Sequence, residues 1–187
     1  TAFFVLFSVS EYLTNRKRAR ANLQHEHKEK FVLDRKSELS ANILDLEPDR
    51  TRVLVPVRDP NNLIHLKAAL EEAHERNTEV IVITIKVEKH EQSFQHVFTS
   101  DEERLFTRVV ELAEKYGVSV KPLVVPSNNS WFAIARTAYE LEAEEILLGK
   151  SEKIPPDVQL EQITMMWVMV AGEKPIKLRI VLGEKDE

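Results

Sequence analysis

The feature that most constrains this chain is an alternation between short aliphatic runs and longer segments in which apolar residues recur at helical spacing. The five short runs lie at 52–57, 80–87, 118–125, 146–149 and 176–182. Their nearly continuous Val, Ile and Leu content is typical of strands that are buried on both faces of a sheet. The last run differs from the others because Lys177 and Arg179 alternate with its apolar residues.

The segments between these runs are predicted to be helices at 63–74, 100–116, 131–141 and from 157 onwards. A capping box beginning at Ser100 starts the second helix, and Gly117 ends it. Because a helix separates each strand from the next, the strands pair in parallel through right-handed crossovers. The sequence therefore predicts an α/β fold: a doubly wound, Rossmann-like five-stranded parallel sheet with helices on both faces.

Composition excludes several classes of protein. The chain has 187 residues with 43% hydrophobic content, which suits one globular domain and is too apolar for general disorder. A formal charge of -5 provides no field that would attract nucleic acid, so we expect no nucleic-acid partner. The absence of cysteine excludes disulfides, thiolate nucleophiles and cysteine-based zinc sites.

The first 50 residues differ from the rest. An apolar stretch at 2–13 is followed by a basic cluster from Arg16 to Arg20, the order in which a transmembrane helix leaves the bilayer on the cytoplasmic side. We expect 1–20 to be the end of a last transmembrane helix with its basic exit. The alternative is a buried N-terminal helix with a solvated basic end. The first methionine is Met165, which favours a piece of a longer polypeptide. A charged connector at 21–50 and an α/β domain at 51–187 follow.

Candidate ligand residues are the polar side chains that directly follow the predicted strands. In an open parallel sheet, ligands bind beyond the carboxyl ends of the strands, and helix starts there favour anions. The candidates are Arg58, Asp59, Asn61, Ser127, Asn128, Gly149, Lys150 and Ser151. The alternative is that the Asn and Ser residues only cap the helices that follow.

No catalytic set is recognisable in the sequence. The Gly-Lys-Ser sequence at 149–151 is not a Walker loop, because Glu144 stands where its leading glycine is required. There is no Gly-x-Ser-x-Gly elbow. His25 and His27 could bind a metal adventitiously, but such a pair in a charged connector is more typical of a surface; the other histidines (His65, His74, His90 and His96) have no carboxylate at metal-ligand spacing. We therefore expect no enzyme activity, metal, cofactor or catalytic substrate. An enzyme that acts on a phosphorylated substrate through Arg58, Asp59 and Lys150 is a further alternative.

A family resemblance is carried by the first strand at 52–57, the helical segment 67–73 and the strand at 79–87. These segments resemble the opening of a universal stress protein domain, and the similarity in pattern extends to about Val181. The resemblance implies a five-stranded parallel sheet that dimerises through its last strand. The side chains expected at that dimer edge are Ile176, Leu178, Ile180 and Leu182.

Nucleotide-binding members of that family carry Gly-x-x-Gly, nine residues and then Gly-Ser/Thr after the fourth strand. Here Gly149 matches the first position, but Glu152 replaces the second glycine, and Gln162 and Ile163 occupy the last two positions. Those members also carry an acidic residue directly after the first strand. This chain has Arg58 at that position, and the nearest acidic residue, Asp59, is displaced by one position. A glutamate adds bulk and negative charge where a triphosphate must approach, so the resemblance implies a degenerate nucleotide site.

The segments 57–62 (VRDPNN), 105–114 (LFTRVVELAE) and 123–127 (LVVPS) resemble the cytoplasmic C-terminal region of bacterial permeases of the amino acid–polyamine–organocation superfamily. This resemblance implies amino acid transport by a membrane part that is not in this sequence. We expect a regulatory and dimerisation domain, attached to that membrane part at the cytoplasmic face of the bacterial inner membrane. The alternative is a soluble, ATP-binding universal stress protein.

Overall fold

The computed structural model describes residues 5–6, 46–86 and 99–183. The strands are β1 (Val5–Leu6), β2 (Thr51–Pro56), β3 (Thr78–Lys86), β4 (Val120–Pro126), β5 (Glu145–Gly149) and β6 (Lys177–Val181). The helices are α1 (Ile64–Ala73), α2 (Ser100–Tyr116), α3 (Ser130–Glu140) and α4 (Pro156–Ala171). The five predicted strands and four predicted helices are all present, with bounds that differ by one or two residues at most ends.

The strands form one sheet in the order β1-β4-β3-β2-β5-β6. Strands β2 to β6 are parallel, which confirms the doubly wound five-stranded sheet. The chain runs outward from β2 through β3 to β4, then returns to place β5 on the other side of β2. The two-residue strand β1, which the sequence did not predict, pairs antiparallel with β4.

Two apolar cores lie on the two faces of this sheet. Side chains that alternate along each strand point to opposite faces, so a strand buried on both sides must be apolar at every position. In β2, Leu54 packs in the core beneath α3 and α4, whereas Val53 and Val55 pack in the core beneath α1 and α2. The unbroken aliphatic runs in the sequence follow from this arrangement.

The start of α2 corrects the predicted capping box by one residue. Thr99, not Ser100, is the N-cap: its hydroxyl accepts a hydrogen bond from the Glu102 amide, and the Glu102 carboxylate accepts one from the Thr99 amide. Thr99 is equivalent to Ser100 as a capping residue, so sequence preference could not choose between adjacent registers. Gly117 ends α2 as predicted, in the left-handed conformation with φ 65°.

The predicted membrane exit and connector lie almost entirely outside the described residues. From 1–50 the structure describes the strand Val5–Leu6 and residues 46–50, which contain a turn at Pro48 and Asp49. No helix in the described ranges is both long and apolar enough to cross a bilayer. The assignments of 1–20 and 21–50 stay predictions.

Candidate functional site

A cleft of about 590 Å³ opens at the carboxyl ends of β2 and β5. These strands are neighbours in the sheet, yet β2 leads into α1 on one face and β5 leads into α4 on the other. The two connecting loops therefore diverge and leave a gap between them, as expected where strand order reverses. The cleft brings together five of the predicted residues: Arg58, Asp59, Gly149, Lys150 and Ser151.

The inner wall of the cleft is a close contact between Gly149 and His65. A Cβ atom on Gly149 would lie 2.6 Å from His65 Nδ1 and 2.8 Å from its Cε1, so only glycine fits against this ring. His65 is 4% exposed, and its Nε2 lies 2.7 Å from the carbonyl oxygen of Pro56. Nε2 therefore carries the proton and donates, and Nδ1 has no hydrogen-bond partner in the part of the chain that the structure describes.

Burial lowers the pKa of His65, and the hydrogen bond to Pro56 opposes that effect only in part. Protonation would place a charge and a second N–H donor at Nδ1, where the described residues offer no acceptor. The ring is consequently held neutral, as a packing element between α1 and the end of β5.

The loop that follows β5 is closed on itself. The Gln159 side chain, 3% exposed, accepts a hydrogen bond from the Ser151 amide (2.8 Å) and donates one to the Gly149 carbonyl (3.1 Å). The Ser151 hydroxyl accepts hydrogen bonds from the amides of Lys153 (3.1 Å) and Ile154 (3.3 Å). These backbone donors, which could otherwise cradle an anion, are already satisfied within the protein.

The charged side chains around the cleft are exposed and mixed in sign. Arg58, Lys150 and Lys153 have no ion-pair partner among the described residues. The carboxylates of Asp59 and Glu152 line the same cleft. The lining therefore has three cations and two carboxylates, which is a weak local field for a polyanion.

Three predicted residues lie away from the cleft lining. Asn61 donates its amide to the Asp59 carboxylate at 2.8 Å, in a tight turn after β2. The Ser127 hydroxyl bonds to the backbone of Asn129, whose side chain caps α3 by accepting from the Phe132 amide. The cap of α3 is therefore Asn129; Ser127 holds the turn that precedes it, and Asn128 lies exposed between them.

Several cleft residues were missed at the sequence level. Trp131 lines the cleft, and Gln159 holds the loop that follows β5 in its closed form. No sequence pattern marked Gln159, because a glutamine in the first turns of a helix is usually solvated. His65 carried a signal, since it falls on the buried stripe of α1 together with Ala69 and Ala73. A polar residue in an apolar stripe predicts a buried partner.

The predicted dimer edge is the outer side of β6. The Lys177 amide donates to the Glu144 carbonyl, and the Val181 carbonyl accepts from the Lys150 amide, so these residues face β5. Because backbone groups alternate sides along a strand, the amides of Leu178 and Ile180 point to the open edge. The side chains of Ile176, Leu178 and Ile180 are half-buried beneath α4, whereas Leu182 is 59% exposed.

The other face of β6 is held by an ion-pair cluster. Arg179 donates two hydrogen bonds to the Glu72 carboxylate, at 2.8 and 2.9 Å, and its Nε lies 2.8 Å from the buried Glu145 carboxylate. Arg76 bridges the same two carboxylates. The hydrogen bond from Arg179 is the main reason that the pKa of Glu72 is lowered. The face of β6 that carries Lys177 and Arg179 is thus ion-paired as well as exposed to solvent.

In the described ranges no three His, Asp or Glu side chains converge on one point. His25, His27, His90 and His96 lie outside those ranges.

The fold is that of the universal stress proteins. A crystal structure of a universal stress protein in complex with cAMP matches with a TM-score of 0.50 and 15% identity, over 71% of this chain and 96% of the other. A universal stress protein family member from Burkholderia pseudomallei matches with a TM-score of 0.50 and 16% identity, over 71% and 97%. At this identity the likeness defines the fold. No protein-family model and no curated protein matches the sequence.

Proposed function

We propose that this chain is the regulatory, dimer-forming domain of an amino acid permease of the amino acid–polyamine–organocation superfamily, with a nucleotide site that no longer binds nucleotide. In this proposal the membrane part of the same polypeptide transports the amino acid. The domain lies at the cytoplasmic face of the bacterial inner membrane. It catalyses no reaction and binds no nucleic acid.

The observation that carries the loss of nucleotide binding is the closed loop after β5. A phosphate bound at such a loop takes its hydrogen bonds from backbone amides. Here the amides of Ser151, Lys153 and Ile154 already donate to Gln159 and Ser151. A phosphate would have to break these hydrogen bonds and also approach the Glu152 carboxylate, which lines the same cleft.

Attachment to a membrane part is supported by the sequence. The basic cluster at 16–20 follows an apolar stretch in the order of a cytoplasmic exit, and three segments of the domain resemble permease tails. Dimerisation is supported by the amides of Leu178 and Ile180, which have no hydrogen-bond partner among the described residues, since an open strand edge is a ready template for another chain. A dimer would couple two membrane parts through one continuous sheet.

Isothermal titration of the full chain with ATP, ADP and cAMP tests the nucleotide claim. We expect no saturable binding up to millimolar nucleotide. The Glu152→Gly variant is the matched partner, because it removes the negative charge and restores the family glycine while the rest of the cleft is unchanged. Micromolar binding by the unaltered chain would contradict the proposal. Binding by Glu152→Gly alone would show that this residue is the main obstacle.

A soluble nucleotide-binding stress protein is the second candidate. It is favoured by the cleft itself, which opens at the strand-order reversal and is lined by Arg58, Lys150 and Lys153. The similar fold with cAMP bound is a further reason to consider it. The same titration discriminates between the two candidates, because tight nucleotide binding despite Glu152 is expected only of the second.

A further inference from the structure

Two opposite charges are buried at the amino ends of β2 and β3. Arg52 (8% exposed) and Glu79 (4% exposed) are direct neighbours in the strand register. Each lies two residues before a buried aliphatic residue, Leu54 or Ile81, and therefore faces the core beneath α3 and α4. A buried ion pair recovers its desolvation cost only when its geometry is good and further hydrogen bonds satisfy it. The hydrogen-bond partners of this pair therefore indicate its role.

The two side chains do not satisfy each other. Arg52 Nε lies 3.9 Å from Glu79 Oε2, beyond hydrogen-bond distance, and this Nε has no hydrogen-bond partner among the described residues. Arg52 Nη1 donates to the Leu141 carbonyl at 3.0 Å, at the end of α3. The other hydrogen bonds of the pair in the described ranges go to the backbone of Glu47.

Glu47 is bound through both of its backbone groups. Its amide donates to Glu79 Oε2 at 3.1 Å, and its carbonyl accepts from Arg52 Nη2 at 3.5 Å, a longer and weaker contact. An amide requires an acceptor and a carbonyl requires a donor, so a carboxylate beside a guanidinium matches the backbone of one residue. Two apolar side chains at these positions could not make either contact.

The neighbours of Glu47 are attached to the domain as well. We call residues 46–50, the end of the connector, the strap. Leu46 is 8% exposed and packs in the core that contains Leu54. At the other end, Arg50 Nη2 donates to the Thr78 carbonyl at 2.9 Å. The strap is thus held at its two ends and at Glu47.

We propose that the amino ends of β2 and β3 form a docking site for the strap, and that Arg52 and Glu79 are the residues that select it. We further infer that the strap leaves this site as a unit while the sheet stays intact. Leu46 is its one buried side chain, and its other contacts are hydrogen bonds and ion pairs at the edge of the domain. A segment with so little buried apolar surface opens at a much lower free energy than a core strand does.

Docking determines how the connector leaves the domain. With the strap docked, the end of the connector moves together with the sheet. With the strap released, the two are joined by a flexible segment. The docking site goes beyond the proposed function, and its one consequence that rests on that function is control of how the domain is positioned relative to the membrane part.

Hydrogen exchange of the full chain, read at the Glu47 amide, tests the role of the charge pair. The main variant is the double replacement Arg52→Met with Glu79→Leu. An apolar pair of similar volume is expected to keep the domain folded, because such replacements of buried ion pairs are often neutral or stabilising. It also removes both partners of Glu47. We expect exchange at Glu47 to be roughly tenfold faster or more, while the amides of 80–83 keep their protection. Unchanged protection of Glu47 would overturn the proposal.

Trypsin cleavage after Arg50 gives an independent readout, because a docked strap protects that bond. We expect faster cleavage in the double variant. The matched control is Glu142→Gln, which removes an exposed carboxylate 3.7 Å from Arg52 Nη1 and leaves Glu79 in place. It should change neither cleavage nor exchange. Release of the strap by this control to the same extent would contradict the role assigned to Glu79.

The unaltered chain provides a test that does not depend on any variant folding. In low concentrations of urea, exchange at Glu47 should depend on urea much less than exchange at 80–83, because release of the strap exposes little surface. An equal urea dependence would show that the strap opens only with the whole domain, and would overturn its release as a unit. Exchange at the rate of an unstructured amide would overturn docking itself. None of these results depends on nucleotide binding, so the docking site and the proposed function can fail separately.

Discussion

Replacing Gly149 with alanine should destabilise the protein by driving a methyl group into His65. The new Cβ would lie 2.6 Å from His65 Nδ1 and 2.8 Å from Cε1, well inside van der Waals contact. The His65 ring cannot move freely, because it is 4% exposed and its Nε2 is bound to Pro56 O at 2.7 Å. Either the ring shifts and loses that bond, or β5 moves away from α1.

The magnitude follows from three terms. Overpacking a buried site costs about 1–3 kcal/mol, and the weakened hydrogen bond to Pro56 adds about 1 kcal/mol. Gly149 does not have a positive φ, so alanine is compatible with its backbone and regains about 0.4–1 kcal/mol by restricting the unfolded chain. We expect a net loss of about 2 kcal/mol in the free energy of unfolding, measured by urea denaturation at pH 7.5.

Two further variants make this expectation specific. Gly183→Ala is the matched control, because its Cβ would lie 3.7 Å from Ile64 Cδ1, an ordinary contact, and the change should be close to neutral. In a His65→Ala background, Gly149→Ala should cost little, since the obstructing ring is gone. A Gly149→Ala protein as stable as the wild type, or the same cost in both backgrounds, would refute the proposed contact.

Three other expectations concern His65, Gln159 and Arg179. Below pH 6.5 the unfolded state binds a proton at His65, whereas the folded state, in which the pKa of His65 is lowered, does not. The free energy of unfolding should therefore decrease as the pH is lowered below 6.5, by up to about 1.4 kcal/mol per pH unit. Urea denaturation of His65→Gln over the same pH range should lack this component. Gln159→Ala should cost about 1–3 kcal/mol and speed amide exchange at Ser151, whereas Gln162→Ala, a half-buried glutamine on the same helix, should do neither. In Arg179→Gln, carboxyl NMR titration should show the pKa of Glu72 rising toward its ordinary value, because Arg179 is the main cause of its depression. The stability that Glu72 contributes is present above pH 4.5 and lost as pH falls through its folded pKa, and this contribution should be smaller in the variant. An unchanged pKa of Glu72 would contradict the role assigned to Arg179.

The fold could be predicted because its determinants are local and repeated. A strand such as Thr78–Lys86 is buried on both faces, and its apolar run can be recognised in the sequence without knowledge of its tertiary contacts. Gly117 ends α2 because a left-handed residue is needed there. By contrast, the two-residue strand Val5–Leu6 lies more than a hundred residues from its partner in β4, and no local pattern encodes that pairing.

The cleft could be predicted only in part. Parallel pairing placed Arg58, Asp59 and Gly149 at the carboxyl ends of the strands, and the structure brings them together in one cleft. The closing of the loop depends on Gln159, whose amide reaches back ten residues to Gly149. The burial of Arg52, which donates a hydrogen bond to the Leu141 carbonyl at 3.0 Å, likewise could not be predicted from its place at the start of an apolar run. Side-chain hydrogen bonds between distant segments depend on packing, which sequence periodicity does not report.

The loop after β5 has its own backbone donors satisfied, and under the proposed function it therefore holds no nucleotide phosphate. The most direct measurement is an amide NMR titration of the full chain with ATP, observed at Ser151, Lys153 and Ile154. We expect these three signals to stay in place up to millimolar ATP. Saturable shifts at all three, with loss of the hydrogen bond between Ser151 and Gln159, would contradict the account.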